Sequence, residues 1–312
     1  MDADKADTVP YGFDDDETTV RLLRSAPPRQ ALAWAEHALS GTVESVEVLQ
    51  GGLSSAMHLL RLRRGTGLRT VVLRRYVRPE RRAEWPDLAD REARTLSFVE
   101  SIAAPTPRLL AVDPTGTRAG TPALLMTCLP GRVEWVPEDV DPWLRRMAEV
   151  LPTIHTATLP APEQFPEHVP DTPSGYEPPH WTHRPELWQR AAEVFHQPAP
   201  GDTRGFIHGD FHPGNLLWHR ASVTGVVDWQ AASIGSPSVD VANCRGNLFR
   251  YGLDLADRFT RYWERLTGER FNPWADLVGT IGYLDELRDD RPSDWRELEE
   301  ALARAVAELD GS

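Results

Sequence analysis

The chain has 312 residues, 40% of them hydrophobic, enough to bury a large core in one large domain or two closely joined lobes. Its formal net charge of -13 argues against a nucleic-acid binder, because phosphate backbones demand basic surface. No apolar run approaches the ~18 residues of a membrane span, and the first twenty residues are acidic where a secretory leader is basic and then apolar, so the expectation is a cytoplasmic protein with neither nucleic acid nor membrane as partner.

The charge is uneven: residues 1–132 carry 18 Lys+Arg against 17 Asp+Glu, and residues 133–312 carry 16 against 30. An acidic second part would attract a cationic substrate, and it serves equally well as solubilising surface. Lys5 is the only lysine, so any cation inside the fold has to be an arginine or a histidine. Cys128 and Cys244 match no metal-ligand or redox spacing and read as reduced core thiols.

In chain order, residues 1–20 read as a flexible acidic lead, and Pro27-Pro28 opens an Ala-rich helix over 28–40. Alternating apolar residues then predict strands over 43–49, 57–62 and 70–76, joined by Gly-rich turns into an antiparallel meander. A helix over 87–101 follows, then two short apolar runs at 108–112 and 122–129 that read as strands, and Pro130-Gly131 punctuates the chain. Beyond it Trp143, Met147, Val150, Leu151 and Ile154 recur at helical steps. Residues 159–182 are Pro-rich and predict a long irregular loop. Short strands return at 205–208, 215–218 and 223–228, and helical patterns fill most of 239–309. Strand-rich then helix-rich order implies an α+β protein of two lobes: a small antiparallel-β lobe with one helix over residues 21–130, and a larger, mainly helical lobe over 131–312.

The chemistry concentrates in His208-Gly209-Asp210-Phe211-His212-Pro213-Gly214-Asn215, where an acid and an amide lie five residues apart on a turn between two short strands. Asp228 follows thirteen residues later, at the end of an apolar run. Carboxylate, amide and carboxylate are the hard oxygen ligands that Mg²⁺ takes when it also holds phosphate oxygens. They suit phosphoryl transfer, in which the protein supplies position, metal and one group to orient the attacking hydroxyl. Asp210 is the candidate base, Asn215 and Asp228 are the candidate metal ligands, His208 is a buttress of the loop, and His212 has no assigned part. A hydrolase using His208, Asp210 and His212 on a transition metal is an alternative.

The segment HGDFHPGNLLW followed by VVDWQ resembles the signature of the aminoglycoside phosphotransferase family, relatives of the protein kinases, and the correspondence runs from about residue 44 to about 290. The resemblance implies a bilobal, protein-kinase-like fold and an enzyme that uses ATP, or GTP, with Mg²⁺ to phosphorylate a hydroxyl of a small-molecule acceptor. It places Gly51, Gly52, Ser54 and Ser55 in a phosphate-covering loop. Arg74 falls where kinases carry a lysine on the nucleotide phosphates, with Glu92 as its acidic partner; arginine there is a departure that alters the pose of the phosphates. Arg75, on the alternate face, reads as surface. Main-chain groups from Met126 to Cys128 fall where the family binds adenine. His155 matches a structural histidine, and Asp240 an aspartate that braces the catalytic loop, with Ser238 nearby as a helix cap.

The acceptor would be met by Asp171, Glu177, Trp181 and Trp188, then Trp263, Trp274, Tyr283, Asp285 and Glu286, a set that suits an amine-bearing, aminoglycoside-like molecule. Macrolides, sugars, amino acids and amino alcohols are the other acceptors weighed. A nucleotide-binding pseudokinase, its turnover ended by Arg74, is the alternative outside catalysis.

Overall fold

The structure is a computed structural model that describes residues 17–49, 54–159, 161–197, 201, 203–287 and 291–311. Two compact units divide the chain: residues up to 100 together with 107–128, and residues 101–106 together with 129–312. Among the described residues, no helix is long and apolar enough to cross a membrane.

The first unit contains α1 (Glu17–Arg24), α2 (Arg29–Leu39), β1 (Thr42–Val48), β2 (Ala56–Arg64), β3 (Gly67–Arg75), α3 (Pro79–Glu84), α4 (Leu88–Val99), β4 (Leu109–Asp113) and β5 (Ala123–Thr127). The strands form one antiparallel sheet in the order β1-β2-β3-β5-β4. In β2 the alternation Ala56, His58, Leu60, Leu62 turns one face inward. Ala31, Trp34 and Ala35, one helical turn apart on α2, cover that face against Leu60, Leu62, Val71, Leu73, Ala123 and Leu125. Each leucine so buried contributes about 1.5–3 kcal/mol.

Helix α1 begins inside the segment expected to be a flexible lead, and it explains a second departure. Leu23 packs on Ala56 and Val77, and Ser25, just past the helix, lies over the end of the sheet. There Arg75 is 4% exposed and not on the surface, its Nη2 donating to the Ser25 carbonyl at 3.4 Å, and burial lowers its pKa. His58 is buried beside it with Nε2 3.0 Å from the same carbonyl. Alternation alone put Arg75 on the face opposite Arg74; α1, which covers the end of that face, gave no sequence signal.

The second unit contains β6 (Arg132–Val133), α5 (Val140–His155), α6 (Pro185–Phe195), β7 (Gly205–Ile207), β8 (Leu216–His219), β9 (Ser222–Val226), β10 (Ser233–Gly235), α7 (Pro237–Phe249), α8 (Leu253–Thr267), α9 (Trp274–Ile281), α10 (Leu284–Leu287) and α11 (Trp295–Asp310). Helix α5 packs on α8, α7 on α8 and α9, and α11 on α9 and α6. The apolar stripe of α5, Trp143, Leu144, Met147, Leu151 and Ile154, has the spacing that puts one helix face in a core. Arg245 of α7 is buried and bonded by its guanidinium to Asp276 of α9 and Thr260 of α8, so one cation ties three helices together. The small strands pair as β7 with β10 and as β6-β8-β9, and these two ladders hold the motif residues.

Candidate active site

Strand β7 runs directly into the motif, and its antiparallel partner β10 starts beside that exit, through the pair Ile207 and Ser233, before running into α7. Helix α7 is capped by Ser236, whose side chain accepts from the Ser238 N–H; Ser238, the cap expected from sequence, instead accepts from the Asn272 N–H at 3.0 Å. One turn in, the buried carboxylate of Asp240 faces back on the loop. It accepts from the His208 N–H at 2.9 Å, the Gly209 N–H at 2.8 Å and His155 Nε2 at 2.9 Å. Burial pushes the Asp240 pKa up, but the His155 hydrogen bond and the neighbouring donors outweigh it and hold the carboxyl below its ordinary value.

Gly209 has φ +81, and an added Cβ would meet the Ala231 carbonyl oxygen at 2.2 Å, so the position admits only glycine. Its carbonyl accepts from Asn243 Nδ2 at 2.8 Å. His208 is fully buried against Trp229, its Nε2 bonded to the Val227 carbonyl at 3.0 Å and its Nδ1 accepting from the Asp210 N–H at 3.2 Å. Both ring nitrogens are therefore spent on backbone, which excludes His208 as the metal ligand that a hydrolase would need. Among the described residues, no three or more His, Cys, Asp or Glu are grouped to hold a metal ion.

Asp210, in contrast, has a side chain 48% exposed. The Asn215 amide donates to its carbonyl at 2.8 Å and to its Oδ2 at 3.0 Å. Surrounding protein pushes the Asp210 pKa above its ordinary value, His212 opposing and the Asp228 charge adding to the rise; the half-open carboxyl limits how far it goes. Asn215 ends a short 3₁₀ turn, and its carbonyl accepts from the Val227 N–H at 2.9 Å, which brings the next residue, Asp228, alongside. Asp228 is half-buried at φ +65, a backbone conformation that costs a non-glycine residue energy and is common at functional turns. Asp210, Asn215 and Asp228 thus come together in the second unit, as their spacing predicts.

In the first unit Arg74 is 3% exposed and Glu92, on α4, 1%. Arg74 Nη1 donates to Glu92 Oε1 at 2.9 Å and Nη2 to Ser54 Oγ at 3.2 Å, while the Tyr76 hydroxyl donates to Glu92 Oε2. Ser55, just before β2, is buried with its hydroxyl 3.8 Å from Met57 Sδ. Gly51 and Gly52 lie outside the described residues. Met126 is buried in β5 opposite Val72, and Cys128 is exposed just beyond the strand, so only Cys244 is the core thiol expected of both cysteines.

Of the residues expected at the acceptor, Trp188 and Trp263 are fully buried core, Trp188 Nε1 donating to Glu299 at 2.9 Å. Trp274 stacks on Phe195, and Trp181 donates to the Leu287 carbonyl at 2.6 Å. Asp285 accepts twice from Ser174, through N–H at 2.7 Å and Oγ at 2.9 Å, pinning the Pro-rich segment to α10. Asp171, Glu177 and Tyr283 remain on the surface, and the side chain of Glu286 lies outside those described. Aromatic spacing gave no way to tell these core rings from pocket rings.

A sequence model described as the phosphotransferase enzyme family matches residues 45–274. The chain belongs to this phosphotransferase family. It is 25% identical over 239 residues to the probable acyl-CoA dehydrogenase IBR3 of Arabidopsis thaliana, a match that covers 65% of this chain and 28% of that protein. It is 31% identical over 111 residues to viomycin phosphotransferase of Streptomyces vinaceus, covering 33% of this chain and 37% of that one. The chain thus spans well under half the length of either curated relative. Among solved structures, a thermostable mutant of the aminoglycoside phosphotransferase APH(4)-Ia, in ternary complex with AMP-PNP and hygromycin B, is similar with a TM-score of 0.61 at 19% identity, over 91% of this chain and 100% of that one. That likeness shows the fold: the α+β, kinase-like fold of the phosphotransferase family.

Proposed function

We propose that the chain transfers a phosphoryl group from ATP to a hydroxyl of a small molecule, with Asp210 orienting the hydroxyl and taking its proton. The observation that carries this reading is the Asp210 carboxylate itself: half exposed, held at one oxygen by Asn215, on a loop whose backbone is clamped by Asp240. A base in phosphoryl transfer has to be reachable by the acceptor and fixed in direction, and this one is both.

The residues fit Mg²⁺. Both neighbours of the Asn215 Nδ2 are acceptors, which fixes the amide nitrogen toward Asp210 and leaves the amide oxygen on the other side. With Asp228 it makes an amide oxygen and a carboxylate, donors that Mg²⁺ takes together with phosphate oxygens. Bound there, the ion would neutralise phosphate charge. Arg74, aimed by Glu92 and Ser54, offers the first unit's cation to the phosphates, Ser54 and Ser55 belong to the loop that covers them, and Met126 to Cys128 supply main-chain groups for the base. In this reading residues 21–130 take the nucleotide and residues 131–312 the acceptor.

The acidic balance of residues 133–312 favours an amine-bearing acceptor. ADP release from Mg-ATP, measured with viomycin, hygromycin B, macrolides, sugars and amino alcohols in turn, tests the proposal. At least one class is expected to raise the rate above that with water alone; no acceptor-dependent rate and no thermal shift with Mg-ATP would overturn it.

A pH dependence follows from the raised Asp210 pKa. The base works ionised, so the rate is full above that pKa and falls as pH drops through it. The acid limb of kcat/KM is expected above the ~3.9 of an ordinary aspartate, and a limb at or below that value would remove Asp210 as the base.

A further inference from the structure

The second motif histidine, His212, has no part in the reading above, yet its ring is seated with care. Nδ1 accepts from the Gly214 N–H at 3.1 Å, so the ring carries its proton on Nε2. One face stacks on Trp135, centroids 6.0 Å apart at 25°. An added Cβ at Gly214 would meet His212 Cε1 at 2.6 Å and Trp135 Cζ2 at 3.0 Å, so the glycine leaves the space in which the two rings lie. The free edge of the ring points at the motif acid: Nε2 is 3.7 Å from Asp210 Oδ1, while Asn215 holds Oδ2.

We infer that His212 is a positioning residue for phosphoryl transfer, its Nε2–H steering Oδ1 of Asp210 as Asn215 steers Oδ2, so that the carboxylate plane is fixed from both ends. This rests on Asp210 being the base. At 3.7 Å the contact is longer than a hydrogen bond, and it closes directly by a small turn of the carboxyl or through one water; catalytic contacts of this kind commonly tighten only when substrate is bound.

The test uses Mg-ATP with water as the acceptor, so no acceptor has to be known. His212→Leu fills the same space without a donor and is expected to lower kcat for ATP hydrolysis about 10- to 100-fold, the scale of a misaligned reacting group, with KM for ATP and Tm unchanged. His212→Gln, whose amide reaches toward the place of Nε2, is expected to recover a large part of that loss. A His212→Leu enzyme at the wild-type rate, or a His212→Gln enzyme as slow as His212→Leu, would overturn the assignment. Asp210→Asn run in parallel separates the two ideas: a slow Asp210→Asn with an unaffected His212→Leu sinks only His212, whereas an Asp210→Asn at full rate sinks the base on which it rests. Imidazole ¹⁵N spectra of the wild-type chain give a readout independent of turnover. The Nε2–H tautomer is expected, with an Nε2 signal that moves in Asp210→Asn; an Nδ1–H tautomer would also overturn the assignment.

Discussion

Asp210→Asn is expected to lower kcat for phosphoryl transfer by about 10²–10⁴-fold, the usual worth of a positioned general base, while Tm and the thermal shift with Mg-ATP stay close to wild type. The substitution is nearly isosteric, and the amide it introduces could still offer its oxygen to the Asn215 side chain that now bonds Oδ2. The loop itself is held elsewhere, by Asp240 on the His208 and Gly209 N–H groups and by His208 on the Val227 carbonyl. What is lost is the ability to accept a proton at a half-exposed position. Rates with a responding acceptor and with water should fall together. A variant that turns over normally would show that the loop serves some other chemistry.

The second large effect is on stability. Glu92→Ala removes the carboxylate that accepts from Arg74 and from the Tyr76 hydroxyl, and leaves a guanidinium 3% exposed without its counter-charge. Breaking a buried pair from one side costs about 3–5 kcal/mol, because the remaining charge stays desolvated. Urea unfolding should show that loss as a lower midpoint at an unchanged slope. Glu92→Gln, which still offers one oxygen, should cost less. Glu92→Ala should also raise KM for ATP, since the guanidinium loses the carboxylate that aims it, and Glu92→Gln should raise it less. A loss under about 1 kcal/mol in Glu92→Ala would mean that the pair is solvated in solution, as surface pairs are.

The motif was legible because its parts are close in sequence and chemically distinctive. Asp210 and Asn215, five positions apart on a turn, can face only a small region, and the strand pairing that returns Val227 to Asn215 delivers Asp228. Long-range covering is a different matter. Arg75 ends a strand whose alternation could be read, but its burial is set by α1 and Ser25, fifty residues earlier in the chain. Trp188 and Trp263 read as aromatic candidates for an acceptor because a helical stripe does not say what packs on it, and here Glu299 and the α5–α8 packing close over them. Helix α6 follows a Pro-rich stretch that masked it; Pro185 starts it, where proline is tolerated in the first turn. His212 had no sequence signal to separate it from turn residues, since its meaning lies in the stacking with Trp135, seventy-seven positions away.

The Arg74 fork changes how the site can be labelled. Acylating reagents that tag amines find Lys5 alone among the side chains, so they leave Arg74 untouched. Dicarbonyl reagents, which do modify guanidinium groups, meet one that is enclosed by Glu92, Tyr76 and Ser54. The Arg74 guanidinium is thus invisible to one class of reagent and shielded from the other.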